Sequence, residues 1–85
     1  MTQPTIEQLI DILVDAGYSA KPSRDEQSAV IGFGPRGFAR ISPDFVINHG
    51  DEVPAARVEA GKGVKGGEQA AIRGAINEAG ICARA

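Results

Sequence analysis

The 85 residues contain only one cysteine and one histidine, the side chains that most often build zinc and redox sites. With Cys82 alone, no disulfide can close within the chain and no cysteine-based zinc cluster can assemble. His49 has no second histidine to complete a ligand set, and its neighbours Asn48, Gly50, Asp51 and Glu52 read as a turn in solvent. No Ser/His/Asp or Cys/His arrangement can be assembled, so the expectation is a protein without enzyme activity, cofactor or metal. Long apolar runs are missing too: nothing approaches the roughly 18 residues that a membrane span requires. Met1-Thr2-Gln3-Pro4 has neither the basic region nor the apolar core of a signal peptide. A soluble, cytoplasmic protein follows as the expectation. Neither sign of charge prevails; eleven acids against nine bases give a formal net charge of −2, which argues against a surface given over to phosphate but allows a local basic patch.

What is present reads as one small domain, residues 1–85, of the α+β class. A chain this short buries only about 60% of its unfolded surface, so its stability margin is thin. Ile6, Leu9, Ile10, Leu13 and Val14 recur at i, i+3, i+4, i+7 and i+8, which predicts an amphipathic helix over Thr5 to Ala16. Thr5 and Gln8 can form a capping box, and Gly17 stands where the helix should stop. Tyr18 to Lys21 alternates and suits a short edge strand ended by Pro22. Ala29–Phe33 and Phe38–Ile41 flank Gly34-Pro35-Arg36-Gly37, a hairpin signal. Ser42-Pro43-Asp44 is expected to break the chain before a strand over Phe45–Asn48. A last strand over Val53–Ala60 should pair fully only beyond Pro54. A second helix is expected over Glu68 to Ala79, burying Ile72, Ala75, Ile76 and Ala79, with Gly80 and Ile81 as its cap and Cys82 a small apolar residue near its end. The order is α-β-β-β-(β)-α: an antiparallel sheet of three to four strands with both helices on one face.

Between the last strand and the second helix lies Gly61-Lys62-Gly63-Val64-Lys65-Gly66-Gly67. Gly61, Gly63 and Gly66 satisfy G-x-G-x-x-G in the strand-to-helix context that a dinucleotide fingerprint demands. A Rossmann unit also needs a second parallel strand after the helix and an acidic residue about 20 positions on. Neither is expected here, so the loop reads as a flexible connector, with Lys62 and Lys65 as candidate anion contacts at the helix N-terminus.

The helix, strands, helix order, the Gly/Lys loop opening the second helix, and Ala70-Ala71 within it resemble the double-stranded-RNA-binding domain. Gly34-Pro35 is similar to that family's hairpin loop. The resemblance implies phosphate contacts at the start of the second helix; aligned on the alanines, Gly63, Val64 and Gly67 stand where the family has lysines. In size, charge and lack of a catalytic constellation the chain also resembles, in type alone, the anti-CRISPR proteins that phages and other mobile elements encode against host defence.

Two sets of candidate site residues result. Glu7, Asp11 and Asp15, spaced i, i+4, i+8 without intervening lysines, form an acidic ridge that with Asp25 and Glu26 could dock a basic host protein or ribonucleoprotein. Lys62, Lys65, Arg36 and Arg40 are the candidate anion or nucleic-acid contacts, the arginines forming a separate positive patch at the hairpin. The protein is expected to act as a monomer or homodimer.

Overall fold

Thr5 starts the structure as the sequence predicts. Its hydroxyl accepts the Gln8 N–H at 3.0 Å and the Gln8 side chain accepts the Thr5 N–H at 2.8 Å, so two orphan donors of helix α1 (Ile6–Asp15) are satisfied reciprocally. In the computed structural model, which describes residues 3–84, this helix is followed by strands β1 (Ala20–Pro22), β2 (Ala29–Gly32), β3 (Phe38–Asn48) and β4 (Asp51–Ala60), helix α2 (Gly66–Glu78) and strand β5 (Cys82–Arg84). Met1 and Thr2 of the N-terminal stretch read above lie outside the described residues.

The fold class is α+β with both helices on one face of the sheet. The sheet has five strands in the order β1-β2-β3-β4-β5, one or two more than expected. The first four pair antiparallel, and β5 adds in parallel against Ala55–Arg57 of β4. Sequence missed β5 because it is three residues long and follows a helix end. Gly80 takes φ +86, Ile81 donates its N–H to the Ile76 carbonyl at 3.2 Å, and Ile81 is buried, so the capping clasp forms as expected. The clasp then aims the next three residues along β4. Cys82 is therefore an exposed strand residue and not part of the helix end.

Strand alternation explains the core. Ala29 and Ile31 of β2, Ala39 and Ile41 of β3, and Ala56 and Val58 of β4 point to one face and meet Leu9, Leu13, Ile72, Ile76 and Ile81. The α1 stripe is narrower than its periodicity suggests: Leu9 and Leu13 are sealed, Ile10 and Ile12 pack at the edges, and Val14 is exposed. On α2 only Ile72 and Ile76 are buried, with Ala75 half-buried and Ala79 exposed. Alanines on the sheet face let the helices approach closely.

Two proline expectations fail for one physical reason. β3 runs unbroken through Ser42-Pro43-Asp44, and β4 pairs with it from Asp51 onward. The turn is a two-residue hairpin with His49 at φ +51 and Gly50 at φ +83, both left-handed, the combination whose twist matches a twisted ladder. Counting back from Asn48↔Asp51, Phe45↔Pro54 and Pro43↔Ala56 fall on pairs whose N–H groups point away from each other. Neither proline thus removes a ladder bond. The hairpin extends past the helices and past β2 and β5, giving extents of 42 × 25 × 21 Å.

Candidate functional site

The glycine loop, expected as a flexible connector, is tied to the β2–β3 hairpin by hydrogen bonds and direct backbone contact. Gly61 donates its N–H to the Phe38 carbonyl at 3.0 Å, Val64 is buried, and Val64 N–H closes a turn on Gly61 at 3.1 Å. A Cβ on Gly63 would lie 2.7 Å from the Arg36 carbonyl carbon, so the backbones of loop and β2–β3 hairpin are in direct contact there. Over this contact Arg36 and Glu68 form a two-bond ion pair, Nη1–Oε1 at 2.5 Å and Nη2–Oε2 at 2.8 Å. The guanidinium also sits 5.5 Å from the centre of the Phe33 ring. Glu68 in turn accepts the Lys65 N–H at 3.1 Å. Hydrogen bonding from Arg36, then from the Lys65 backbone, lowers the Glu68 carboxyl to about 2.

These bonds change the standing of the anion candidates. β5 does provide the parallel strand whose expected lack counted against the dinucleotide fingerprint. The loop is nevertheless filled differently: Gly63 lies against Arg36 where a pyrophosphate would approach, and the Glu68 carboxylate already occupies the positive end of α2. Arg36 is engaged with Glu68 and does not form a patch with Arg40, which projects from the opposite side of the sheet beside Glu59. Lys62 and Lys65 are exposed.

The acidic candidates separate as well. Asp25 builds its own turn, accepting the Ser23 hydroxyl at 2.5 Å and the Gln27 N–H at 3.1 Å, and those bonds hold its carboxyl below the ordinary range. Glu26, at φ +56, comes together with Glu7 around a hollow of about 500 Å³ walled by Ile6, Ile10 and Pro22. Asp15 shares a smaller groove with Glu78. Glu7, Asp11 and Asp15 are exposed and form no ion pair among the described residues.

Asp11 borders the most informative hollow, a notch of about 480 Å³ where the β3–β4 arm leaves the body. Pro4 and Ile12 wall it on one side, Gly80 and Ile81 on another, and Pro54 closes it; Asp11 is its one charged residue. Phe45 is paired with Pro54 and Ile47 lies two residues further along the same face, 37% and 62% exposed. The notch therefore continues along the arm over Phe45 and Ile47, with the exposed Glu52 opposite Ile47 on the same face. The arm's open edges are blunted. Pro43 and Pro54 have no N–H to give, and the Phe45 N–H is taken by its neighbour Asp44 at 2.8 Å. A partner strand finds few donors there, so what the arm offers is its face. Sequence reasoning missed Phe45, Ile47 and Pro54 as surface residues because it broke the chain at Pro43 and left Pro54 unpaired; the available signal was that Phe45, Val46 and Ile47 are consecutive apolar residues of one strand, which cannot all face the same side.

The outward face of the sheet carries no helix. Lys21, Arg40, Arg57 and Arg84 project from it with Val30, Phe38 and Ser42, as do Asp44 and Glu59. Arg84 contacts Asp44 at 3.0 Å and Arg57 contacts Glu59 at 3.4 Å.

No group of three or more His, Cys, Asp or Glu side chains able to hold a metal occurs among the described residues, and no helix there is long and apolar enough to cross a membrane. In comparisons with family models, curated proteins and solved structures, nothing matches this chain.

Proposed function

We propose that this chain is a non-enzymatic docking protein that binds a basic surface of a host protein or ribonucleoprotein in the cytoplasm and blocks it, in the manner of anti-CRISPR inhibitors. One observation carries the docking: an apolar notch rimmed by the unpaired Asp11 and prolonged by the exposed Phe45 and Ile47 of the arm. Apolar anchors in a pocket concentrate binding energy, while a one-signed rim steers approach and rejects like-charged surfaces. The fitting partner presents an apolar side chain flanked by lysine or arginine. The inhibitory role rests on small size and an acidic helix face, features that this chain has in common with such inhibitors.

The test has two stages. Cells carrying an active CRISPR system and this chain should lose interference against a targeted plasmid, and the tagged chain should retain a component of that system. Asp11→Lys with Ile47→Asp should abolish both effects while the protein stays folded by circular dichroism. Undiminished interference in every system tried would refute the inhibitory role. Retention that survives the double variant would refute the notch.

A further inference from the structure

We infer that the open face of the sheet, on the side away from the notch, binds single-stranded nucleic acid. Four of the nine basic residues are gathered there, although the chain as a whole is acidic. The register places them on a diagonal. Lys21 is opposite Val30, Val30 opposite Arg40, Ser42 opposite Arg57, and Arg57 opposite Arg84. With strands about 4.8 Å apart, the diagonal crosses about 19 Å from β1 to β5. The acids Glu7, Asp11 and Asp15 belong to the helix layer on the other side and do not oppose it. Asp44, Glu59 and, at the tip of the arm, Asp51 share the face, and Asp25 in the β1–β2 turn lies near enough to Arg40 to feel its charge, but the arginines that Asp44 and Glu59 touch remain 51% and 62% exposed. Ion pairs this open are weak and screened, so phosphates can displace them.

Phe38 turns a basic face into a nucleic-acid face. It is half exposed, its cross-strand partner is Gly32, and on the other side Gly61 bonds its carbonyl. Glycines on both sides leave the ring without side-chain neighbours there. A shallow hollow of about 270 Å³ beside it is bordered by Arg40, Glu59 and Gly61. An uncovered aromatic next to an arginine, on a sheet face that carries four cations, suits an unpaired base stacked on the ring with its phosphates on the neighbouring cations. Base pairs within a duplex keep their faces stacked on one another and cannot use the ring. An acidic peptide could use the charges but gains nothing particular from a bare aromatic face.

Fluorescence anisotropy with labelled dT12 and U12, at 50 and 200 mM salt, tests this. Either strand binding supports the site, and the preference between them identifies the source. Binding should weaken with salt, log K falling with a slope of about −3 for four phosphate contacts. Phe38→Ala should lower affinity about 5- to 150-fold, the range for loss of one stacked base. Arg40→Glu with Arg57→Glu should abolish binding, whereas Lys62→Glu with Lys65→Glu should leave it within about twofold. All these side chains are exposed, and thermal melts confirm that each variant folds. The inference is overturned if the parent fails to bind either strand at 50 mM salt, or if duplex or polyglutamate of equal length competes as well as the single strand. It is equally overturned if Phe38→Ala is without effect or if the loop-lysine variant is the one that fails. Loss of CRISPR interference in cells does not enter this test, so the docking role and the oligonucleotide site stand or fall separately.

Discussion

Gly63→Ala is the sharpest perturbation the structure offers, because the added carbon meets backbone and not a side chain that could swing away. Built on the present backbone, the Cβ falls inside van der Waals contact of the Arg36 carbonyl oxygen, 2.7 Å from its carbon and 2.9 Å from its Cα. Either the loop or the β2–β3 hairpin must move. Movement would strain the two-bond pair between Arg36 and Glu68 and loosen buried Val64. Overpacking a fitted contact costs about 1–3 kcal/mol, and here the upper part of that range or more is expected because neither surface can yield alone. In a domain of this size about 2 kcal/mol lowers Tm by roughly 8–16 °C. Gly74→Ala is the control: nothing lies within 4 Å of its Cβ position, and replacing glycine inside a helix should stabilise by about 1 kcal/mol. Urea and thermal melts of the two single variants should move in opposite directions. A Gly63→Ala protein within about 0.5 kcal/mol of the parent would refute the close backbone contact.

Leu9→Ala and Leu13→Ala, both sealed against the sheet, should each cost about 2–5 kcal/mol in urea melts; losses below about 1 kcal/mol for both would place α1 outside the core. Because the Glu68 carboxyl is lowered from 4.5 to about 2, its contribution is fully present above about pH 4.5 and is lost as pH falls towards 2. The stability difference between the parent and Glu68→Gln should therefore shrink over that interval, and a difference that grows on acidification would contradict the ion pair. Calorimetry with NAD should register no binding, since the α2 N-terminus is occupied by Glu68 and Gly63 is packed on Arg36; micromolar affinity would contradict that geometry.

Legibility followed how local the physics was. Thr5 and Gln8, the hairpin at Gly34-Pro35, and the Gly80-Ile81 clasp are decided within a few residues, and each was readable. The arm was not, because a proline is harmless or fatal depending on which side of the ladder its nitrogen faces, and register is a property of two strands. Arg36 and Glu68 are 32 residues apart, so nothing local announced that they would consume one another. β5 was invisible for a further reason: three residues carry no periodicity, and only the docking of Ile81 fixes their course.

The acidic ridge was legible as a pattern, and its basic counterpart was not. Lys21, Arg40, Arg57 and Arg84 are scattered over 64 positions and look like solvated charges until strand pairing aligns them. A net charge of −2 thereby conceals an uneven distribution, with the ridge of Glu7, Asp11 and Asp15 on the helix layer and four cations among a few acids on the open sheet face, and only the sum is visible in composition. Such a molecule can meet a basic protein surface with one side and a polyanion with the other. That pairing is what an inhibitor of a nucleic-acid-bound machine would need, because it could hold the protein and occupy the path of its strand together. Charge reversal on the two layers should then act independently on the two ligands. Glu7, Asp11 and Asp15 to lysine should weaken protein docking, and Arg40 and Arg57 to glutamate should remove the oligonucleotide. Cross-effects larger than about twofold would mean that the two faces report one shared long-range field and not two sites.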